Sequence, residues 1–152
     1  MINRIELVKD PEQKRKLYEF VMGMPFDYPD YDEWVKKCYR ELQLGYKQAL
    51  VCLLGDEIIG NLIFQQHKED PLSLELKNSR VNPKHRRKRV FTRLYRNVER
   101  YAIEKGFSRI VGDTHADNNG VIKTSIRLGF HLESTERLYD GRLESILVKC
   151  IK

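Results

Sequence analysis

The chain has 152 residues, of which 28 are Lys or Arg and 22 are Asp or Glu, so its formal net charge is +6. This length predicts a single domain over residues 1–152, large enough to bury a core without disulfides. The sequence contains no apolar run near the roughly 20 residues of a membrane span and no signal-peptide segment at its start, so we expect a cytoplasmic protein without a membrane partner.

The first third of the chain predicts a strand followed by two helices. Residues 2–8 form the strand. Asp10, with Pro11 next and Gln13 at the spacing of a capping box, predicts the start of the first helix. A Pro-bounded segment then interrupts the helical pattern, and the second helix is expected to start near Asp30.

From residue 49 onward, strands and helices alternate. The predicted strands are 49–54, 57–65, 72–81, 109–113, 130–138 and 143–151, and the predicted helices are 90–105 and 118–128. The order is therefore β-α-α-β-β-β-α-β-α-β-β. It predicts an α/β fold with a mixed, twisted sheet of about six to seven strands and helices on both faces.

A concentrated positive charge lies between the third strand of this series and the long helix. Seven of the ten residues from Lys84 to Arg93 are Lys, Arg or His. A cationic loop that enters a helix N-terminus is suited to a phosphate or pyrophosphate. The alternative is a solvated basic turn, but cations at a helix N-terminus oppose the helix dipole, which favours a bound anion. A nucleic-acid partner is disfavoured, because the strands offer no exposed aromatic platform.

The three cysteines, Cys38, Cys52 and Cys150, have neither metal-ligand spacing nor an even count. We expect reduced, small core residues and no metal site.

Two motifs extend the interpretation of the basic loop. They are Val81-x-Pro83-x-x-Arg86 followed by Val90-Phe91-Thr92-x-Leu94-Tyr95, and Asn118-x-x-Val121-Ile122 followed by Arg127-Leu128-Gly129-Phe130. Together with the order of elements, they resemble the GCN5-related N-acetyltransferase (GNAT) family over nearly the whole chain. The resemblance implies the GNAT fold and the direct transfer of an acyl group from acyl-coenzyme A, above all acetyl-coenzyme A, to an amine in a ternary complex.

The resemblance also implies which residues bind the acyl donor. The loop would bind the pyrophosphate through backbone N–H groups and cations. Asn118 would contact the cofactor arm, although Asn118 or Asn119 as a simple helix cap is the alternative. Backbone N–H groups near Arg80 and Val81 would face the thioester carbonyl. The implied loop residues are Arg86, Arg87, Lys88, Arg89, Val90, Phe91 and Thr92.

Three positions depart from the family pattern. Arg89 and Phe91 stand at the two small-residue positions of the loop, and Ser125 stands where the family often has a tyrosine that protonates the leaving thiolate. Arginine at position 89 could keep a helical φ and offer its guanidinium to a phosphate, or it could block the loop. Ser125 could hydrogen-bond the sulfur, with Tyr139 or Tyr95 as substitutes for the tyrosine.

Deprotonation of the acceptor amine needs a base. Glu75 lies eleven residues before Arg86, the offset of the catalytic glutamate in histone-type members of the family, although an ion pair with a neighbouring cation is as good an explanation. His115 is the second candidate, either as a base or with Asp113 orienting its imidazole. An inert exposed histidine is the alternative.

The acceptor is expected to be an amine on a small molecule or a protein. Phe26 and Tyr28, with the acids Asp27 and Asp30, are the candidate residues of an acceptor cleft suited to a cation. A family-fold protein that binds acyl-coenzyme A as a sensor or interaction module, without turnover, is the alternative function. A homodimer through the last two strands is a further expectation.

Overall fold

The computed structural model describes residues 3–24, 30–138 and 141–152. Its described part has the predicted element order. The strands are β1 (Asn3–Leu7), β2 (Gln48–Leu54), β3 (Glu57–Gln66), β4 (Ser73–Val81), β5 (Arg109–His115), β6 (His131–Leu138) and β7 (Arg142–Cys150). The helices are α1 (Pro11–Met22), α2 (Tyr31–Leu44), α3 (Val90–Glu104) and α4 (Asn119–Arg127), with a 3₁₀ turn at Pro83–His85.

The strands form one seven-stranded sheet in the order β1-β2-β3-β4-β5-β7-β6. The β1–β2, β2–β3, β5–β7 and β6–β7 pairs are antiparallel, and the β4–β5 pair is parallel. The predicted α/β class with a mixed sheet is therefore confirmed. Within the described residues, no helix is long and apolar enough to span a membrane.

The start of α1 shows how local sequence sets the helix boundaries. The Gln13 amide donates to Asp10 Oδ1 at 2.8 Å, and the Asp10 amide donates back to Gln13 Oε1 at 3.3 Å. This is the predicted capping box. At α2, Asp30 instead adopts a left-handed conformation with φ 55° and makes no side-chain cap.

Three residues predicted for the acceptor cleft, Phe26, Asp27 and Tyr28, lie outside the described residues.

Two compact units divide the chain, the first comprising residues 1–65 and 77–100. In this unit α1 and α2 pack on one face of β2 and β3. The buried side chains of this core include Leu17, Val21, Val35, Cys38, Leu42, Ala49, Val51 and Ile63. Each large aliphatic side chain contributes about 1.5–3 kcal/mol when fully buried. The burial of these side chains therefore stabilises the packing of α1 and α2 on β2 and β3.

The second unit comprises residues 66–76 and 101–152. It holds β5, β6, β7, α4 and the first half of β4, where Ser73–Leu76 pairs with Arg109–Gly112. The expectation of a single domain over the whole chain stays a prediction. The cysteine prediction is correct for Cys38 and Cys52, which are buried and free, but wrong for Cys150, which is free and exposed at the end of β7.

Gly60 on β3 lets the first turn of α3 approach the sheet in the first unit. A Cβ at Gly60 would lie 2.7 Å from Val90 Cγ1, 3.3 Å from Leu94 Cδ1 and 3.3 Å from the Arg80 carbonyl oxygen. Val90 and Leu94 are almost completely buried. The missing side chain therefore fixes how closely α3 packs on β3, on the face opposite α1 and α2.

We predict that Gly60→Ala destabilises the protein by about 1–3 kcal/mol, because the new methyl group overpacks the Val90 contact. Urea denaturation measures this change. Gly120→Ala on α4 is the matched control, since nothing lies within 4 Å of its added methyl group. Equal stability of the two variants would contradict the proposed close approach.

Candidate active site

The candidate site in the first unit is the basic loop, which we define as residues 82–92. It begins with an anchored turn. The Asn82 amide donates to the Ile59 carbonyl at 2.8 Å, and Asn82 Oδ1 accepts a hydrogen bond from the Lys84 amide at 3.0 Å. Arg86 Nε reaches back to the Val81 carbonyl at 3.4 Å. The loop therefore has a defined path from β4 into α3.

Two arginines of this loop have left-handed backbones. Arg87 has φ 63° and Arg89 has φ 62°. The sequence-based option of a helical φ at Arg89 is therefore wrong, because the residue takes the conformation for which the family pattern uses glycine. A left-handed backbone costs a non-glycine residue roughly 1–2 kcal/mol. Such turns direct successive N–H groups inward and make a concavity that suits anions.

Arg89 also lies immediately before the first residue of α3. The Arg93 amide donates to the Arg89 carbonyl at 3.0 Å, which is the first α-helical hydrogen bond. The amides of Val90, Phe91 and Thr92 precede it and have no partner within the helix. These amides lie at the positive end of the helix dipole, where an anion is stabilised.

The basic side chains of the loop remain at the surface. Arg86, Arg87, Lys88 and Arg89 are all exposed. Their charges repel one another and oppose the dipole of α3, and an anion at the loop would relieve both effects. The loop therefore fits a pyrophosphate chemically, because its backbone amides can donate hydrogen bonds to the phosphates and its exposed cations can neutralise their charge.

Arg80 and Val81 lie at the end of β4 in the same unit as the loop. The Arg80 guanidinium donates from Nε to the Met24 carbonyl at 3.0 Å and from Nη1 to the Ser79 carbonyl at 2.9 Å. Its side chain therefore links the segment just after α1 to the end of β4. The role predicted for the backbone amides of Arg80 and Val81 stays a prediction.

The remaining predicted residues lie in the second unit, two of them on α4. Asn118 caps the helix, since its side chain accepts from the Val121 amide at 3.4 Å. The Ser125 hydroxyl donates to the Val121 carbonyl at 2.8 Å, and Ser125 is largely buried. Its hydrogen is therefore committed to the helix backbone. As substitutes, Tyr95 is buried in the first unit, where burial raises the pKa of its phenol, and Tyr139 lies outside the described residues.

His115 is the last residue of β5 rather than a loop residue. Arg142 Nε donates to His115 Nε2 at 3.0 Å, so the ring hydrogen lies on Nδ1, which donates to Asp117 Oδ1 at 2.5 Å. This hydrogen bond lowers the pKa of the Asp117 carboxyl group. The prediction that Asp113 orients the imidazole is therefore wrong, because Asp117 does so. As a base, His115 would first have to release Arg142.

No sequence pattern singles out Glu144 on β7. The register pairs it with His115, and it is buried although it carries a carboxyl group. Asp113, two residues before His115, lies on the same face of the sheet. Burial, and after it the negative charge of Asp113, raise the pKa of the Glu144 carboxyl group. Glu75 pairs with Val111, so it lies on that face as well. Identifying Glu144 would have required the residue-by-residue pairing of β5 with β7.

The described residues contain no group of three or more His, Cys, Asp or Glu arranged to hold a metal ion.

Comparison with protein families identifies one relationship. The model of the Acetyltransferase (GNAT) family matches residues 14–130, which is more than half of the chain. No curated protein matches the sequence.

Solved structures share the fold at low sequence identity. A Desulfovibrio desulfuricans protein described as an acetyltransferase of the GNAT family is 12% identical with a TM-score of 0.86, over 99% of this chain and 100% of that chain. The Escherichia coli ribosomal-protein-S18-alanine N-acetyltransferase is 18% identical with a TM-score of 0.80, over 99% and 95%. A Bacillus anthracis protein, described as a streptothricin acetyltransferase in complex with acetyl coenzyme A, is 18% identical with a TM-score of 0.63, over 70% and 64%.

The backbone of the basic loop gives a test that needs no ligand. We predict that Arg89→Gly leaves the free energy of unfolding unchanged or raises it by up to about 1 kcal/mol, because glycine adopts a positive φ without strain. Arg86→Gly is the control, since Arg86 has an extended backbone with φ −67°. It should lower the stability by about 0.5–1 kcal/mol through the greater entropy of the unfolded chain. Equal losses in urea denaturation would contradict the left-handed backbone at Arg89.

Proposed function

The chain belongs to the GNAT acetyltransferase family, and on this premise we propose that it transfers an acyl group from acyl-coenzyme A to an amine. Acetyl-coenzyme A is the proposed donor. When bound, it supplies an activated thioester. The amine attacks this group directly in a ternary complex, so no acyl group is carried on a side chain of the protein.

The basic loop is the observation that carries this proposal. It combines two left-handed arginines with the unpartnered first amides of α3 and four exposed cations. A protein that needed only a surface turn would gain nothing from this strain and repulsion. A pyrophosphate compensates both, because it accepts the amide hydrogen bonds and neutralises the charges.

Three further roles are part of the proposal. Backbone amides at Arg80 and Val81 stabilise the negative charge that develops on the thioester oxygen. Asn118 contributes to cofactor binding from the start of α4. Glu75 on β4 accepts a proton from the amine, either directly or through water.

The leaving thiolate has no phenol at position 125. Ser125 can assist only by turning its hydroxyl away from the Val121 carbonyl, to which it donates at 2.8 Å. We therefore propose that solvent protonates the thiolate. This observation also supports the second candidate function, an acyl-coenzyme A sensor that binds the donor with slow or no turnover.

Other expectations stay predictions at this point: a cytoplasmic location, a homodimer, and an acceptor that is either a small-molecule amine or a protein amine. The net charge of +6 suits an anionic donor such as coenzyme A.

Donor binding is tested by thermal melting with acetyl-coenzyme A. At 100 times its dissociation constant the ligand should stabilise the protein by about 2.7 kcal/mol. Arg86→Ala should weaken binding about tenfold or more, because it removes a charge-assisted hydrogen bond worth about 1.5–3 kcal/mol. Arg96→Ala is the matched control, since Arg96 is an exposed arginine farther along α3.

Turnover separates the two candidate functions. Release of free thiol from acetyl-coenzyme A is measured with a panel of primary amines that includes n-butylamine, putrescine and a lysine-containing peptide. Amine-dependent release supports the enzyme. Binding without release on any amine supports the sensor, and the absence of any thermal shift would contradict both.

A further inference from the structure

The outer face of α3 carries three arginines in the first unit. We define the arginine ridge as Arg93, Arg96 and Arg100, which are three and four residues apart. Residues at this spacing lie on one face of a helix. Arg96 and Arg100 are exposed, and Arg93 is half-buried. The opposite face of the helix is buried, through Val90, Leu94, Tyr95 and Val98.

The ridge has no acidic counterpart in the part of the chain that the structure describes, since none of its arginines forms an ion pair there. Glu99 is the one acid of the sequence between Val90 and Arg100. It lies toward Tyr95, because burial, and after it the charge of Glu99, raise the pKa of the Tyr95 phenol. Like charges three or four residues apart destabilise a helix, so the ridge costs stability unless an anion binds to it.

The other helices of the same unit carry charges of both signs on their exposed faces. On α1, Arg15 forms ion pairs with Glu12 at 2.5 Å and with Glu19 at 2.6 Å between nitrogen and oxygen. On α2, Lys36 Nζ lies 3.6 Å from Glu33 Oε1. The single sign of the ridge is therefore a property of α3 and needs its own explanation.

The surroundings of the ridge favour a nucleic acid over a protein or a membrane. The centre of a protein–protein interface is apolar, but α3 exposes no large apolar side chain from Arg93 to Arg100. Ile103, farther along α3, is exposed as a single residue. A helix that lies on a membrane inserts an apolar face into the lipid, whereas the apolar face of α3 packs into the core. Interfaces with DNA, in contrast, are polar and strongly positive.

The type of cation and the overall charge agree with this choice. All three cations are arginines, whose planar guanidinium group binds a phosphate bidentately. The sequence has a pI of about 9.2 and a net charge of +6. Arg and Lys clustered along a helix, in a domain with a pI above about 9, are typical of a nucleic-acid-binding protein.

We propose that the arginine ridge binds the phosphate backbone of a duplex nucleic acid without recognising its sequence. At about 1.5 Å per residue the ridge spans about 10 Å, and each strand of a DNA duplex carries a phosphate about every 3.4 Å along the axis. A strand that lies along α3 therefore presents about three phosphates to the three guanidinium groups. The absence of an aromatic platform on the strands disfavours a partner with unpaired bases, but phosphate contacts to a duplex do not need one.

Fluorescence anisotropy tests this inference with the full chain and labelled duplexes of DNA and of RNA, each of about 20 base pairs, between about 50 and 200 mM salt. Arg96→Gln combined with Arg100→Gln removes two phosphate contacts. The slope of the logarithm of the association constant against the logarithm of the salt concentration should therefore fall in magnitude by about 2. Duplexes of different sequence should be weakened by the same factor.

The matched control combines Arg15→Gln with Arg40→Gln, which removes the same two charges from exposed positions on α1 and α2. This variant should keep the salt slope of the parent protein. The variant of Arg96 and Arg100 should melt at or slightly above the temperature of the parent, because it loses only repulsion between like charges. Its thermal shift with acetyl-coenzyme A should equal that of the parent, since the ridge lies outside the basic loop.

The inference is independent of the proposed function, and its failure leaves that function untouched. An equal fall of the salt slope in both double variants would overturn it, because the response would then depend on net charge alone. The absence of binding to either duplex at about 50 mM salt would overturn it as well. So would binding of a polyglutamate peptide or of phosphatidylserine vesicles that depends on Arg96 and Arg100 while neither duplex binds.

Discussion

The contact between Gly60 and Val90 is the constraint on which the position of the basic loop depends. Because β3 has no side chain at Gly60, the first turn of α3 packs closely on the sheet and its amides start at a fixed place. The chain must then cover the distance from Val81 to Val90 in a tight basic loop, and it does so with left-handed backbones at Arg87 and Arg89. On our proposal, the pyrophosphate of the donor compensates this strain and the repulsion between the cations.

A second constraint shapes the polar face of the sheet in the other unit. The antiparallel register between β5 and β7 places Asp113 beside Glu144, and it places His115 between Arg142 and Asp117. The imidazole is thereby occupied on both nitrogens. Burial, and after it the neighbouring Asp113, raise the pKa of the Glu144 carboxyl group.

Local signals in the sequence were sufficient for the elements and their order. The caps of α1 and α4 could be predicted, because each joins residues only three positions apart. These are Asp10 with Gln13, and Asn118 with Val121. The left-handed backbone of Arg89 could not, because arginine has no preference for it and the packing of α3 imposes it. Glu144 was missed for a related reason. Its burial and its contact with Asp113 arise from strand pairing across about 30 residues of sequence, which a local pattern does not record.

The central claim is that the basic loop and the first turn of α3 bind the pyrophosphate of acetyl-coenzyme A. Amide chemical shifts, measured by ¹H–¹⁵N NMR during a titration with acetyl-coenzyme A, test it most directly. Our account predicts that the largest changes fall on the amides from Arg87 to Thr92, and that S-acetylpantetheine, which lacks the pyrophosphate, leaves them nearly unchanged. Saturable binding of acetyl-coenzyme A without shifts in these amides would contradict it.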